Sequence, residues 1–299
     1  MARDILFNTP GVLCRLIDRH EREVLEEAAA IDREAWGDRL AQDAEHFEAR
    51  AANGFLVGAF KGDELVGTIS AVRRPFAMME AARNDPNHPF STWDGISCRG
   101  TFAHCEPMGD ALFCVAVSSR GASPRRYPEV PTGTHKALEL ARELSFETDT
   151  LDEAVGARAA ALAAATIDVY APLDPVMRFH MKPKGGGILP GARILWPIPR
   201  GRPADTDAMG YNLLMAYPEL VPGATFPDSV SVEVSVGEAL ILAAAALGSR
   251  LGVRLVVPYS RPGAFRYNLI KALVAIGTGA PASLDPFQAA VRKFIESAT

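Results

Sequence analysis

The sequence predicts an α/β fold in which a mixed β-sheet is flanked by helices, and three observations carry that reading. Two apolar runs around Lys61-Gly62-Asp63, within residues 55–72, have the pattern of a β-hairpin. Residues 110–119 (DALFCVAVSS) are an almost unbroken apolar run, the mark of a strand covered on both faces. Segments with apolar residues at helical spacing lie between and beyond these runs, so strands and helices alternate along the chain.

The elements follow in order. Residues 11–18 read as a first strand. A charged stretch over 21–33 carries Val24, Leu25, Ala28 and Ile31 at helical spacing. A second helix, over 41–52, is stopped by Asn53-Gly54. After the hairpin, residues 74–109 form a long connection rich in Pro, Asn, Asp, His and aromatics; such a connection is functional or locally ordered. Helices are predicted over 132–145 and 152–165, then a short strand over 167–170. Asp174 caps a helix whose first turn holds Pro175, and Gly185-Gly186-Gly187 ends it. Strands follow at 192–198 and 211–216. From Phe226 a new pattern begins: a strand at 231–236, an alanine-rich helix at 238–251, a strand at 253–258 and two helices. This predicts a main domain over 1–222 and a small C-terminal α/β extension over 223–299 packed on it.

The composition narrows the function. The formal net charge of the 299 residues is −5, without the basic footprint of a nucleic-acid binder, although Arg120, Arg125 and Arg126 cluster locally. The apolar run 239–247 is too short to span a bilayer, and the first residues lack the pattern of a secretory signal, so no membrane association is expected. The four cysteines, Cys14, Cys98, Cys105 and Cys114, form no CxxC pair. That argues against a structural zinc site or a disulfide scaffold, and for a reducing cytoplasm.

The order of elements over residues 11–217 resembles the GNAT (Gcn5-related N-acetyltransferase) superfamily. The ending Asp63–Ile69 of the hairpin looks like the family's second and third strands, and 110–119 looks like its fourth. The most specific match is to a GNAT subgroup with the pattern DPVL-x-FH…GA-x-I…RP-x-D…GYGVLL. Here Phe179-His180, Arg202-Pro203-Ala204-Asp205 and Gly210-Tyr211-Asn212-Leu213-Leu214 carry it. The resemblance implies a GNAT-like mixed sheet with splayed central parallel strands and an acyl-CoA co-substrate, acetyl-CoA included, with no metal. It also implies a backbone N–H near Val115 or Val117 for the thioester carbonyl, and a pyrophosphate loop opening a helix, since free amides and the helix dipole favour an anion. In that loop, Thr132-Gly133-Thr134 matches the family pattern only at Gly133. The preceding stretch, with Arg120, Gly121, Arg125 and Arg126, supplies the phosphate contacts instead, or is a solvated arginine loop.

Transfer to an amine needs a base for the ammonium, donors for the oxyanion and an acid for the thiolate. His180 falls where many members place the tyrosine that protonates the thiolate; a structural histidine there is the other reading. Glu106 and His104, upstream of the fourth strand, are the candidate bases by position, or polar loop residues held by backbone hydrogen bonds. Trp93, Asp94, Phe102 and Asp110 are candidate acceptor contacts, or anchors of the long loop. Tyr259–Phe265 (YSRPGAF) is a second anion contact or lid, or a plain strand-to-helix turn. The expected activity is N-acyl transfer from acyl-CoA to a small-molecule amine in secondary metabolism. The alternatives are a carrier-protein or aminoacyl-tRNA donor, and an inactive GNAT fold that binds a ligand. A homodimer is left open.

Overall fold

The computed structural model describes residues 4–85, 87–103, 109–121, 127–146, 152–218, 220, 225–281 and 285–297. The strands are β1 (Ile5–Thr9), β2 (Val12–Leu16), β3 (Phe55–Lys61), β4 (Glu64–Arg74), β5 (Ala111–Ser119), β6 (Arg193–Ile198), β7 (Asn212–Ala216) and β8 (Leu255–Ser260). The helices α1 (Arg22–Trp36), α2 (Ala44–Asn53), α3 (Phe76–Arg83), α4 (Trp93–Ser97) and α5 (Lys136–Ser145) are followed by α6 (Glu153–Tyr170), α7 (Pro175–Met181), α8 (Val236–Arg250), α9 (Phe265–Gly277) and α10 (Pro286–Ser297). The chain divides into two compact units, each discontinuous in sequence. The first takes Met1–Pro124, His180–Ile198 and Leu213–Ser260, and the second takes Arg125–Phe179, Pro199–Asn212 and Arg261–Thr299.

The first unit is built on an eight-stranded sheet in the order β1-β2-β3-β4-β5-β8-β7-β6. The strands from β1 to β5 pair antiparallel, β5 pairs parallel with β8, and β8 pairs antiparallel with β7. β4 is buried along nearly its whole length, so its sequence is apolar without alternation. One face is covered by α1 and α2, where Leu25, Ala28, Ile31 and Phe47 meet Leu56, Phe60 and Leu65. α8 packs against β1 through β5, and every residue from Ala239 to Gly248 is buried. A helix that is apolar all round belongs inside a protein, and its alanines let it lie close to the strands.

The parallel ladder between β5 and β8 runs from Ala111↔Leu255 to Cys114↔Pro258 and stops, although β5 continues to Ser119 and β8 to Ser260. Proline has no N–H to give to a ladder and is tolerated inside a sheet only where pairing ends. On its other edge β8 pairs with β7 through Tyr259↔Leu214 and Ser260↔Leu213. On the β5 side, the register against β4 shifts beside Val115, and the Val115 carbonyl accepts the Trp93 indole N–H at 2.9 Å. The two parallel strands therefore part beyond Cys114, which is the fork the sequence resemblance predicts. Further along β5, the Ser118 hydroxyl donates to buried Asp32 at 2.6 Å and accepts from the Trp36 indole at 2.8 Å, tying the strand to α1.

The second unit is helical. α5 packs on α9, and α10 packs on α6 and α9. Tyr170, Phe265 and Phe287 form its aromatic centre, with ring centroids 4.8–5.9 Å apart. The stretch Glu153–Leu173 is long and apolar enough by composition to cross a membrane. In this structure its residues Leu162, Ala163, Thr166, Ile167 and Tyr170 are buried.

Several local expectations change. Ile167–Tyr170 is the last turn of α6: its β-branched residues favour a strand, but no breaker separates them from the alanine helix before them. Residues 231–235 form no strand, and Val236 already belongs to α8, which Ser235 caps through the Glu238 N–H. β1 is an additional edge strand. The long connection 74–109 contains α3 and α4. The parallel partner of β5 is β8, from the part of the sequence assigned to an appended extension.

Gly67 locates the start of α8. A Cβ at this position would lie 2.8 Å from the Val236 side chain and 2.9 Å from the Ser118 carbonyl oxygen. Gly67→Ala is expected to lower stability by about 1–3 kcal/mol, the usual cost of overpacking, at unchanged urea m-value. Wild-type stability would show that α8 does not press on β4 and β5 there.

Candidate functional site

Cys114 marks the end of the parallel ladder, and the groups around it come from three other segments of the first unit. Tyr217 follows β7 and is held by its N–H, which donates to the Val256 carbonyl at 3.0 Å. His180, from the last turn of α7, has its Nδ1 3.0 Å from the Tyr217 hydroxyl, and its own carbonyl accepts from the Ala192 N–H at 2.9 Å. Both rings are buried, with His180 5% and Tyr217 1% exposed. After α7, the chain turns through Gly185, Gly186 and Gly187, whose φ values of 59°, 69° and 106° suit residues without a Cβ. This turn buries Lys184 and places the Gly185 N–H 2.6 Å from Glu238 in the first turn of α8.

Burial keeps the imidazole, the phenol and the thiol uncharged. It pushes the His180 imidazole down to about 3, with the Lys184 ammonium adding to the effect. It raises the Tyr217 phenol well above its ordinary range, helped by Cys114 and Glu238, and pushes the Cys114 thiol up to about 12. Lys184 is itself lowered by burial, partly offset by Glu238. In the tautomer that accepts the Tyr217 hydroxyl at Nδ1, the neutral imidazole carries its proton on Nε2 and is an N–H donor. It is suited to hydrogen-bonding an oxygen that gains negative charge, and poorly suited to removing a proton at neutral pH.

The other predicted residues have varied positions. Val115 and Val117 lie on β5 past the end of the ladder, where the resemblance places the carbonyl contact; Val115 is buried and Val117 half-buried. Arg120 is drawn toward Glu27 at 2.5 Å and Glu64 at 3.6 Å, and the Gly121 N–H donates to Glu34 at 2.7 Å, so both tie β5 to its neighbours. Thr132, Gly133 and Thr134 precede α5 in the second unit, where His135 caps that helix through the Ala137 N–H. The helix whose first turn meets the far part of β5 is α8. Asp110 sits at the closed end of the ladder, accepting from the Phe76 N–H at 2.7 Å and pairing with Arg254 at 3.4 Å. Trp93 and Phe102 are core residues, while Asp94 is exposed on α4. His104, Cys105, Glu106, Arg125 and Arg126 lie outside the described residues.

Two motifs meet in the second unit. Arg261 of the YSRPGAF segment donates to Asp205 at 2.7 Å and Asp207 at 3.1 Å, which commits it to carboxylates of the RPADTD segment. Sequence reasoning missed Tyr217, Lys184 and Glu238. The glycine run after Lys184 was a signal for a tight turn, but nothing local marks Tyr217 as the partner of His180. Among the described residues no group of His, Cys, Asp and Glu is arranged to hold a metal ion.

An antiparallel series of strands leading into a parallel pair that parts midway, with helices on both sides, is a GNAT-like α/β architecture. Among solved structures the chain is similar to the GphF GNAT-like decarboxylase in complex with isobutyryl-CoA, at 18% identity and a TM-score of 0.41, covering 68% of this chain and 96% of that one. It is also similar to the loading GNATL domain of CurA from Lyngbya majuscula, at 16% identity and a TM-score of 0.39, covering 68% and 96%. No protein-family model matches the sequence, and no curated protein matches it significantly.

The neutral His180 has a consequence for stability. Its value is about 3 in the native state against 6.5 for a free imidazole, so between these pH values the unfolded chain binds a proton that the native one does not. Stability is therefore expected to be unaffected by this group above pH 6.5 and to fall as the pH drops below it, by up to about 1.4 kcal/mol per pH unit. Urea unfolding from pH 7 to 4 should show a shallower fall for His180→Phe than for wild type. Parallel profiles would mean that His180 is protonated in the native protein.

Proposed function

We propose that the first unit binds an acyl thioester at the fork between β5 and β8, and that the His180–Tyr217 pair hydrogen-bonds the thioester oxygen as it gains charge. The observation that carries this is the ladder ending at Cys114↔Pro258 with that pair beside it. Beyond the fork, β5 runs on without its parallel partner, giving an extended acyl-thioester arm a strand edge to lie along. The first turn of α8 meets β5 at Ser118, and a helix start favours the phosphates of a CoA arm.

The particular reaction we propose is N-acyl transfer from an acyl-CoA to the amine of a small molecule. The amine nitrogen bonds to the thioester carbon, the oxyanion takes the hydrogen bond from His180, and the C–S bond breaks to release the thiol. His180 acts as a donor in this scheme. The base would come from elsewhere, with Glu106 and His104 the candidates by sequence position. A carrier-protein thioester would present the same reacting group.

The uncharged donor pair also favours a second reaction, loss of CO₂ from a 2-carboxyacyl thioester. The electron pair of the breaking C–C bond enters the thioester as an enolate whose oxygen takes the same hydrogen bond, and a proton later returns to carbon. That step needs no base, which suits an imidazole held near pKa 3.

Binding and chemistry can be tested separately. Acetyl-CoA or a longer acyl-CoA at 100 times its Kd should stabilise the protein by about 2.7 kcal/mol in a thermal-shift assay. His180→Phe should reduce turnover about 10²–10³-fold, and Tyr217→Phe about tenfold, with acyl-CoA binding retained. Release of CO₂ from malonyl-CoA without an amine would select the second reaction, and amine-dependent thiol release from acetyl-CoA the first. Absence of a shift with every CoA species would overturn the thioester reading.

A further inference from the structure

The second unit contains a cleft of about 450 Å³ formed by α6, α7, α9 and α10, and none of its lining belongs to the fork. Its size is within the range of small-ligand sites. The wall is apolar where Leu173, Ala272, Ala275 and the Phe287 ring face it. Two cations, Arg178 and Lys271, also line it; both are exposed, and neither makes an ion pair among the described residues.

The distinguishing polar group is Gln288. Its side chain is only 8% exposed, and its Nε2 has no hydrogen-bond partner among the described residues. A buried donor without a partner is destabilising, so an acceptor brought into the cleft would offset that penalty. The neighbouring polar groups are already engaged. The Tyr170 hydroxyl donates to Asp174 at 2.9 Å and accepts from the Asn268 amide at 2.8 Å, and the same amide donates to the Ala264 carbonyl at 2.9 Å.

The charge of the lining sets the valence of the ligand. Asp285 also faces the cleft, where its carboxylate accepts the Phe287 N–H at 2.9 Å at the start of α10. Arg178 and Lys271 against Asp285 leave one net positive charge, which matches a monoanion and disfavours a dianion. A charged head near two cations and a buried amide, with an apolar wall beside it, describes an amphipathic carboxylate.

We propose that this cleft is a binding site for a small monocarboxylate with an apolar tail, whose carboxylate is held by Arg178, Lys271 and the Gln288 amide and whose tail lies against Leu173, Ala275 and Phe287. The guanidinium fork and the amide together supply the donors that a carboxylate accepts.

Hexanoate is a suitable probe, with inorganic phosphate as the tail-less control, and calorimetric titration of the full chain as the measurement. Saturable hexanoate binding is expected. Arg178→Gln should weaken it at least about tenfold, since it removes a charged partner. Ala275→Trp should weaken it as much by filling the cleft, and Gln288→Leu should weaken it to a smaller extent. His180→Phe should leave it unchanged, which separates this cleft from the fork. Arg178→Gln, at an exposed position, should keep the wild-type urea midpoint, so that its loss of binding is not loss of fold. The proposal is overturned if hexanoate does not bind at millimolar concentration, if Arg178→Gln and Ala275→Trp bind it like wild type, or if phosphate displaces it.

Discussion

A missing N–H at Pro258 shapes the part of this protein on which the rest depends. A parallel ladder in the middle of a large sheet would ordinarily continue as far as both strands run. Here it stops where β8 has no donor to offer, while the other edge of β8 stays bonded to β7 and to Tyr217. The opposite strand is prepared for the same break. Its register shifts beside Val115, and the carbonyl there is taken by the Trp93 indole. Two strands that both give up their pairing at one level create an opening without breaking the sheet above it, where Asp110 and Arg254 keep the closed end tied.

The chemistry at that opening follows from burial. An imidazole, a phenol and a thiol are all kept in their uncharged forms by the low polarity around them, and a nearby lysine pushes the imidazole further in the same direction. Lys184 is retained there by Glu238, which also receives the Gly185 N–H. A buried charge of this kind is expensive unless it is compensated, so the glycine turn, Lys184 and the start of α8 behave as one assembly. Changes in any of them would be felt at His180.

Much of the fold was legible in the sequence because its signals are local. The hairpin around Gly62, the apolar run of β5, the cap at Asp174 and the alanine-rich α8 each declare themselves within about a dozen residues. The failures have physical causes too. Ile167–Tyr170 has β-branched residues but continues a helix that nothing interrupts, and the alternating valines of 231–235 find no neighbouring strand to pair with. The parallel partner of β5 is not legible in the sequence, because pairing is non-local. His180 was visible through its resemblance to a motif. Its low proton affinity was not, since that arises from burial in the folded chain and from the Lys184 ammonium.

β8 lies between β5 and β7, yet among the described residues it is the last strand in sequence, more than 130 residues after β5. Until residues 255–260 emerge from the ribosome, the sheet has a gap at its centre with two exposed edges facing it. Folding of the first unit must then wait for residues 255–260, because that strand is a keystone rather than a trailing piece. A nascent or truncated chain ending before β8 would carry unpaired apolar strands, making it a substrate for chaperones and for self-association.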